Sequence, residues 1–394
     1  MNPLISKPQR FASRFLGLAL LVGILSLYST LSLSQGQEAP TPPPHPLDDL
    51  TAKFTAEMNA LAEECTAKGL DQLSLATKSW VEPRDPSRRY LFLPPVKYTD
   101  PGDPQRIESQ VATWPEWRTQ VRELRQRHAA ALYEFAQTAA TNEQWNLVGS
   151  ALWEALWQDP EHAALRRILD YQGIEAETKR IQVKIARRPD TTLGWQGGAY
   201  REGNSSQFRL LTTADEATAR ELLRQFQIWR TLWRQTCLPY WMNNEGVAAA
   251  IKSGRPIPSG VEAKHTVVLF ANRQEFLQAL RRVPGIEQSV GYYDSESERC
   301  YFYLDSQDPN VLATQKHELV HQLFQETGKR IRKPGENSNF WLLEAAAMYF
   351  ESLTRLQPQP SSEPSPDRHE TGQIGFFVDT QHEMRPLPGP QNPW

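Results

Sequence analysis

The chain has 394 residues, enough for two ordinary domains with a sizeable core. Its formal net charge is −3, with 43 basic and 46 acidic side chains, so no global field draws it toward nucleic acid or anionic lipid, and no nucleic-acid partner is expected. Three cysteines, Cys65, Cys237 and Cys300, lack the CxxC spacing of a thiolate metal site; their odd number leaves at least one thiol unpaired and any disulfide unassigned.

Residues 1–34 read as an export leader. Lys7, Arg10 and Arg14 precede an apolar run from Phe15 to Leu33, and Ser32-Leu33-Ser34 supplies small residues for cleavage. Left uncleaved, residues 15–33 would anchor the chain in a membrane. Either way the protein is expected to be exported, periplasmic or extracellular. Residues 35–47 form a Pro-rich linker with no capacity to build a core.

Residues 48–185 read as an all-α domain. A helical segment runs from Leu50 to about Leu73, and a Pro-rich loop spans Val81 to Pro104. Further helices are expected from Pro115 to Ala140, with Val121, Leu124, Ala131, Leu132 and Phe135 as the apolar face, from Trp145 to Trp157, and from Pro160 to Tyr171. Asp159-Pro160 reads as an N-cap followed by a first-turn proline. The alternation of small and large apolar residues over 151–169 resembles the junction between tetratricopeptide-type (TPR-like) helical repeats, with an ordinary helical hairpin as the alternative.

Residues 186–204, rich in Gly, Pro and polar groups, read as a linker. Residues 205–357 form a second, α+β domain. Gln207–Leu211 is a predicted strand, and Thr213 with Glu216 is a capping box for a helix whose core stripe is Leu222, Phe226, Trp229 and Trp233. His265–Phe270 (HTVVLF) is a β-branched strand, and Asn272–Val283 a short helix. Val290–Tyr293 and Cys300–Leu304 flank polar residues as a hairpin. Asp308-Pro309 and Gly328 bound the next helix, and Ser338 or Asn339 caps the last one, which runs through Leu356. Residues 358–394 are a Pro/Ser-rich tail with no terminal element visible, either loose or the start of a truncated segment.

The chemistry sits in HELVHQ. His317 and His321 are four apart on a predicted helix, so both imidazoles face one point and can share an ion. Zinc accepts neutral imidazole nitrogens, and a catalytic site keeps three protein ligands and one open position. Glu318 is rotated about 100° from His317, which suits it to serve as a general base toward an activated water rather than as a ligand. On the following helix, WLLEAAAMYFE, Glu344 is the third candidate ligand, and the three alanines after it allow close helix approach. Glu351, two turns on, is a candidate for orienting His317 or His321 through the non-ligating nitrogen.

These two blocks resemble the Glu-zincins (gluzincins), in which the two His of HExxH and a Glu on a following helix bind zinc. The second block is similar to the WLxEGxAxYxE block of the M1-type aminopeptidases. Residues 205–356 resemble the peptidase-MA-like domains of exported, planctomycete-type bacterial proteins, which carry a helical, repeat-like region upstream. The resemblance implies a zincin-like fold of a small mixed sheet plus active-site helices. It also implies a zinc metallopeptidase with His317, His321 and Glu344 as ligands, Glu318 as base and a peptide or protein as substrate. Ala345 departs from the usual Gly, the spacing to Glu344 is longer than in the M1-type enzymes, and no GxMEN-like block is present, which argues against an aminopeptidase.

In such sites an edge strand aligns the substrate backbone, and Cys300–Leu304 is the candidate. Tyr292, Tyr293, Tyr301, Tyr303 and His369 are candidate oxyanion donors, though strand aromatics are commonly packing residues. His265 opens an apolar strand and reads as a packed or surface residue rather than a ligand, and His45, His128, His162 and His382 have no partner at metal-ligand spacing. The competing function is a catalytically silent, peptidase-like binding module whose helical domain binds another protein. An intact Glu318 favours the enzyme, since a scaffold needs no base.

Overall fold

The structure is a computed structural model that describes residues 47–81, 88–94, 104–241, 244–257, 263–305, 311–327, 340–355 and 375–379. The chain opens with helices α1 (Asp48–Ala67) and α2 (Asp71–Lys78), then strand β1 (Arg88–Phe92). Helices α3 (Pro104–Val111), α4 (Trp117–Thr141), α5 (Trp145–Gln158), α6 (Ala163–Ile168) and α7 (Ile174–Lys179) follow. Next come β2 (Gln182–Ile185), β3 (Arg201–Asn204), β4 (Phe208–Thr212), α8 (Glu216–Trp241), α9 (Asn244–Ser253), β5 (His265–Phe270) and α10 (Arg273–Ala279). The described elements end with β6 (Gly291–Asp294), β7 (Arg299–Tyr303), α11 (Val311–Glu326), α12 (Phe340–Glu351), β8 (Thr354–Arg355) and β9 (Gly375–Asp379).

The fold is mixed α/β around a six-stranded sheet ordered β2-β3-β4-β5-β7-β6. Strands β4, β5 and β7 are parallel, and β2, β3 and β6 add antiparallel edges. The parallel strands alternate their side chains between two cores, as a pleat of period two requires. Phe208, Leu210, Val267, Leu269, Cys300 and Phe302 face one core, where Leu223, Phe226 and Trp233 of α8, Leu319 and Leu323 of α11, and Phe350 of α12 meet them. Leu211, Val268, Phe270, Tyr301 and Tyr303 face the other, covered by Phe276 of α10 and by Tyr200. With both faces covered, these strands read as near-continuous apolar runs. The stripe Leu222, Phe226, Trp229 and Trp233 is buried as expected.

Several local readings are corrected. The first helical segment divides into α1 and α2, because the chain turns at Gly69, where Leu70 N–H reaches back to Cys65 O. The helix expected from Pro160 begins at Ala163. Its cap is the His162 imidazole, which accepts the Leu165 N–H at 3.3 Å, whereas Asp159 closes α5. At the start of α8 the cap is Asp215, which accepts the Thr218 N–H at 2.9 Å. Thr213 is instead drawn to the sheet end, donating to Glu275 and accepting the Ala271 N–H.

Residues 186–204 are not a simple linker. The sheet begins upstream of them at β2, and β3 occupies their end. Asp190 pairs with Trp195 in a β-bridge, Tyr200 is buried, and the Trp195 ring packs edge-on against Phe270. Gly203 lets β3 lie close to α8, since a Cβ there would come 2.8 Å from Leu223 Cδ1 and force that side chain to shift. The Pro-rich loop before Pro104 contains β1, and the Pro/Ser-rich tail contains β9. The two pair antiparallel from Arg88↔Asp379 to Phe92↔Gly375, with β8 on the other side of β9. Buried Gln235 of α8 hydrogen-bonds both the N–H and the C=O of Phe92 and so fixes this small sheet to the core.

The described residues from Asp49 onward form one compact unit, helices and sheet together. All three cysteines are buried, and none is joined in a disulfide. No helix among the described residues is long and apolar enough to cross a membrane, and the leader 1–34 with its apolar run 15–33 lies outside the described residues. So do Asp308-Pro309, Gly328 and Ser338-Asn339, read above as helix boundaries.

Asp190 also pairs with Arg299 at 3.2 Å, tying the 186–200 segment to the start of β7. Burial raises the Asp190 carboxyl, but the Leu193 N–H and the Arg299 guanidinium outweigh it and hold the group below the ordinary carboxylate value. A depressed folded-state pKa stabilises the fold above the unfolded-state value and ceases to do so as pH falls through the folded-state value. Asp190→Asn should therefore cost about 1–3 kcal/mol at pH 7, with the gap to the wild type closing in acid. Urea unfolding at a series of pH values checks this; a gap independent of pH would refute it.

Candidate metal centre

Helix α11 lies on the sheet because Leu319, Val320 and Leu323 are buried against it. Two polar contacts and one close backbone approach set its position. The Gln322 amide donates to Thr266 O of β5 at 3.0 Å, and the Cys300 thiol of β7 donates to Glu318 O at 3.3 Å. Gly291 of β6 runs against the helix: a Cβ there would approach Glu318 Cγ and the Phe302 ring to about 3.0 Å.

Helix α12 packs on α11 through Ala347 and Phe350, both buried. Of the three alanines only Ala347 is buried, while Ala345 is exposed. The Lys316 ammonium donates to Glu351 O at 3.0 Å and Leu353 O at 3.1 Å, satisfying carbonyls that a helix C-terminus leaves open. This contact fixes α12 lengthwise against α11.

His317, His321 and Glu344 are brought together, with donor atoms all within 4.8 Å of one another, the one such group among the described residues. His317 Nε2 lies 3.2 Å from Glu344 Oε2, and His321 Nε2 lies 3.4 Å from Glu344 Oε1. The imidazole centroids are 4.8 Å apart at 68°. Glu351 is also in place: its Oε1 lies 2.5 Å from His317 Nδ1. A proton on Nδ1 engaged by Glu351 leaves the Nε2 lone pair for the cluster, the arrangement that orients metal-binding histidines. Two imidazole nitrogens and a carboxylate converging from two helices, all partly exposed, fit a divalent transition ion with room for a further ligand.

Electrostatics at the cluster follow from its crowding. Burial works against charge on His317, but Glu344 and Glu351 at its two nitrogens overcome this and push its pKa up to about 10. Burial lowers His321, an effect only partly opposed by Glu344. For Glu344 burial is outweighed by His317 and His321, which hold its carboxyl below the usual value. Glu318 is pushed up to about 7, chiefly by burial, with His317 pulling the other way.

Glu318 is not one of the grouped ligand residues. Its Oε2 accepts the backbone N–H of Tyr293 at 3.1 Å. Tyr293 belongs to β6, and β6 is the edge of the sheet beside α11, whereas Cys300–Leu304 is not: the hairpin folds β6 outside β7, which pairs on both sides. Tyr301 and Tyr303 belong to the core on the sheet face away from α11, and Tyr292 packs against that core, so all three are removed from the cluster. Tyr293 is on the near face, but its hydroxyl donates to Glu326 at 3.3 Å. His369, His45 and His382 lie outside the described residues.

The other described histidines, His128, His162 and His265, serve the fold, His162 as the cap of α6. His265 is fully buried with Nδ1 2.6 Å from Glu326 Oε2, and His128 stacks on Phe54. Sequence reasoning missed Lys316 and Glu326, and it offered Tyr293 as an oxyanion donor rather than as a partner of Glu318 and Glu326. Glu326 follows Glu318 by eight residues on the same helix, a spacing that was readable; Lys316 and Tyr293 act through tertiary contacts with no local signature.

Comparison of the chain with protein-family models, with curated proteins and with solved structures finds no match.

Alanine at His317, His321 or Glu344 should abolish stoichiometric metal uptake, whereas Glu351→Gln should weaken it about 10- to 100-fold without abolishing it. Competition with a chromophoric chelator measures both. Equal affinity in Glu351→Gln and wild type would exclude the orienting role of Glu351.

Proposed function

We propose that this chain is an exported, zinc-dependent peptide hydrolase. The observation that carries the reading is the convergence of His317, His321 and Glu344, with the desolvated carboxylate of Glu318 one residue from the first ligand. Zinc held there would polarise the scissile carbonyl and lower the pKa of water toward about 7. Glu318 would accept the proton of the attacking water and return it to the departing amine nitrogen. A carboxyl raised to about 7 is suited to both directions of transfer at neutral pH. Glu351 would hold the His317 ring, and Lys316 would keep the two helices in register. The helices upstream of β2, read as a TPR-like platform, would hold substrate or a partner protein, and the leader accounts for export.

The test has two stages. Elemental mass spectrometry of the purified protein should find about one zinc per chain, and a mixed peptide library incubated with it should yield defined cleavage products. Glu318→Gln should retain the zinc and lose hydrolysis by at least about a hundredfold. Turnover that survived Glu318→Gln, or protein that takes up no zinc when folded, would end this reading.

A further inference from the structure

We propose that Tyr293 is a positioning residue that staples edge strand β6 to α11 and thereby holds Glu318 in place; this rests on the catalytic role proposed above for Glu318. Tyr293 touches α11 twice. Its backbone N–H donates to Glu318 Oε2 at 3.1 Å, and its phenol donates to Glu326 Oε1 at 3.3 Å. The two carboxylates are eight residues apart, roughly 12 Å along the helix axis. One residue of the strand is thus fixed at both ends over two turns of the helix that carries the metal ligands.

The far end of the staple is itself anchored. Glu326 Oε2 lies 2.6 Å from His265 Nδ1, and Glu326 Oε1 accepts the Gln322 amide at 2.9 Å. The same Gln322 nitrogen donates to Thr266 O. Strand β5 therefore holds Glu326, Glu326 holds the Tyr293 phenol, and Tyr293 holds the base. Burial and the Glu326 charge raise the Tyr293 pKa, so the phenol stays protonated and remains a donor. At the near end, the missing side chain of Gly291 lets β6 come against Glu318.

The cluster is buried, with His265 and Gln322 at 0 % exposure. His265 Nε2 and Gln322 Oε1 have no hydrogen-bond partner, so the bonding capacity present is directed at Glu326. Buried polar clusters of this kind are commonly no more stabilising than apolar packing of the same volume. Their distinctive effect is to fix one geometry, here the distance between the sheet edge and the base. Among the described residues β6 pairs with β7 alone, and the staple adds a second attachment, to α11.

The test compares full-length Tyr293→Phe and Glu326→Gln with wild type, with Tyr292→Phe, on the opposite sheet face, as control. Three quantities are read: zinc content, kcat and KM on a library peptide that the wild type cleaves, and amide hydrogen exchange over residues 291–294. Both variants should lose about 10- to 100-fold in kcat with KM and zinc content unchanged, and exchange at β6 should rise about tenfold while β5 is unaffected. The control should match wild type in all three. Unchanged exchange at β6, an unchanged kcat, or an activity loss that tracks loss of zinc or of thermal stability would each overturn the proposal. A zinc-loaded wild type that cleaves no peptide would defeat the function proposed above, whereas the exchange measurement decides the staple independently of it.

Discussion

His317 is gripped at both ring nitrogens by one neighbouring helix. Glu344 meets Nε2 and Glu351 meets Nδ1, and the two glutamates are two turns apart on the same face of α12. The arrangement tolerates little sliding, since a shift of one residue along α12 would rotate Glu344 by about 100° away from the cluster. The α11–α12 contact therefore has to be fixed in register, not merely close. Lys316 does this by donating to the last carbonyls of α12, and Ala347 and Phe350 hold the helix against the core.

The same helix α11 must satisfy a sheet, a second helix and a reactive site at once. Its residues divide by direction. Leu319 and Leu323 go to the core, His317 and His321 to α12, and Glu318, Gln322 and Glu326 to strands β5 and β6. The last three follow one another at intervals of four, so they form a polar row against the sheet. A polar row so placed is tolerated because each member finds a partner: a backbone N–H, a backbone carbonyl, or a histidine ring. The desolvation that makes this row costly also raises the Glu318 carboxyl to about 7.

Strand geometry decides which aromatic groups can approach the site. On β6 and β7 the four tyrosines alternate across the pleat, and three of them go with the face opposite α11. That alternation is legible in the letters, but the face on which α11 lies is not. The same limit explains the misplaced edge strand. Two strands of a hairpin are equally eligible to lie outside until it is known that β5 pairs with β7.

By itself the sequence determined the features set by short-range periodicity. The i, i+4 placement of His317 and His321, the same-face relation of Glu344 and Glu351, the core stripe of α8, strands β4 and β5 and the β6–β7 hairpin all follow from helix and strand repeats a few residues long. The tertiary structure alone decided the pairings that close long loops. Residues 88–92 meet 375–379 across most of the chain, the Gly-rich stretch 186–204 folds back as sheet, and His265 meets Glu326. In each case the partner is chosen by which backbone edges and buried polar atoms remain unsatisfied once the local elements have formed. That is a property of the assembled surface and is written in no single segment.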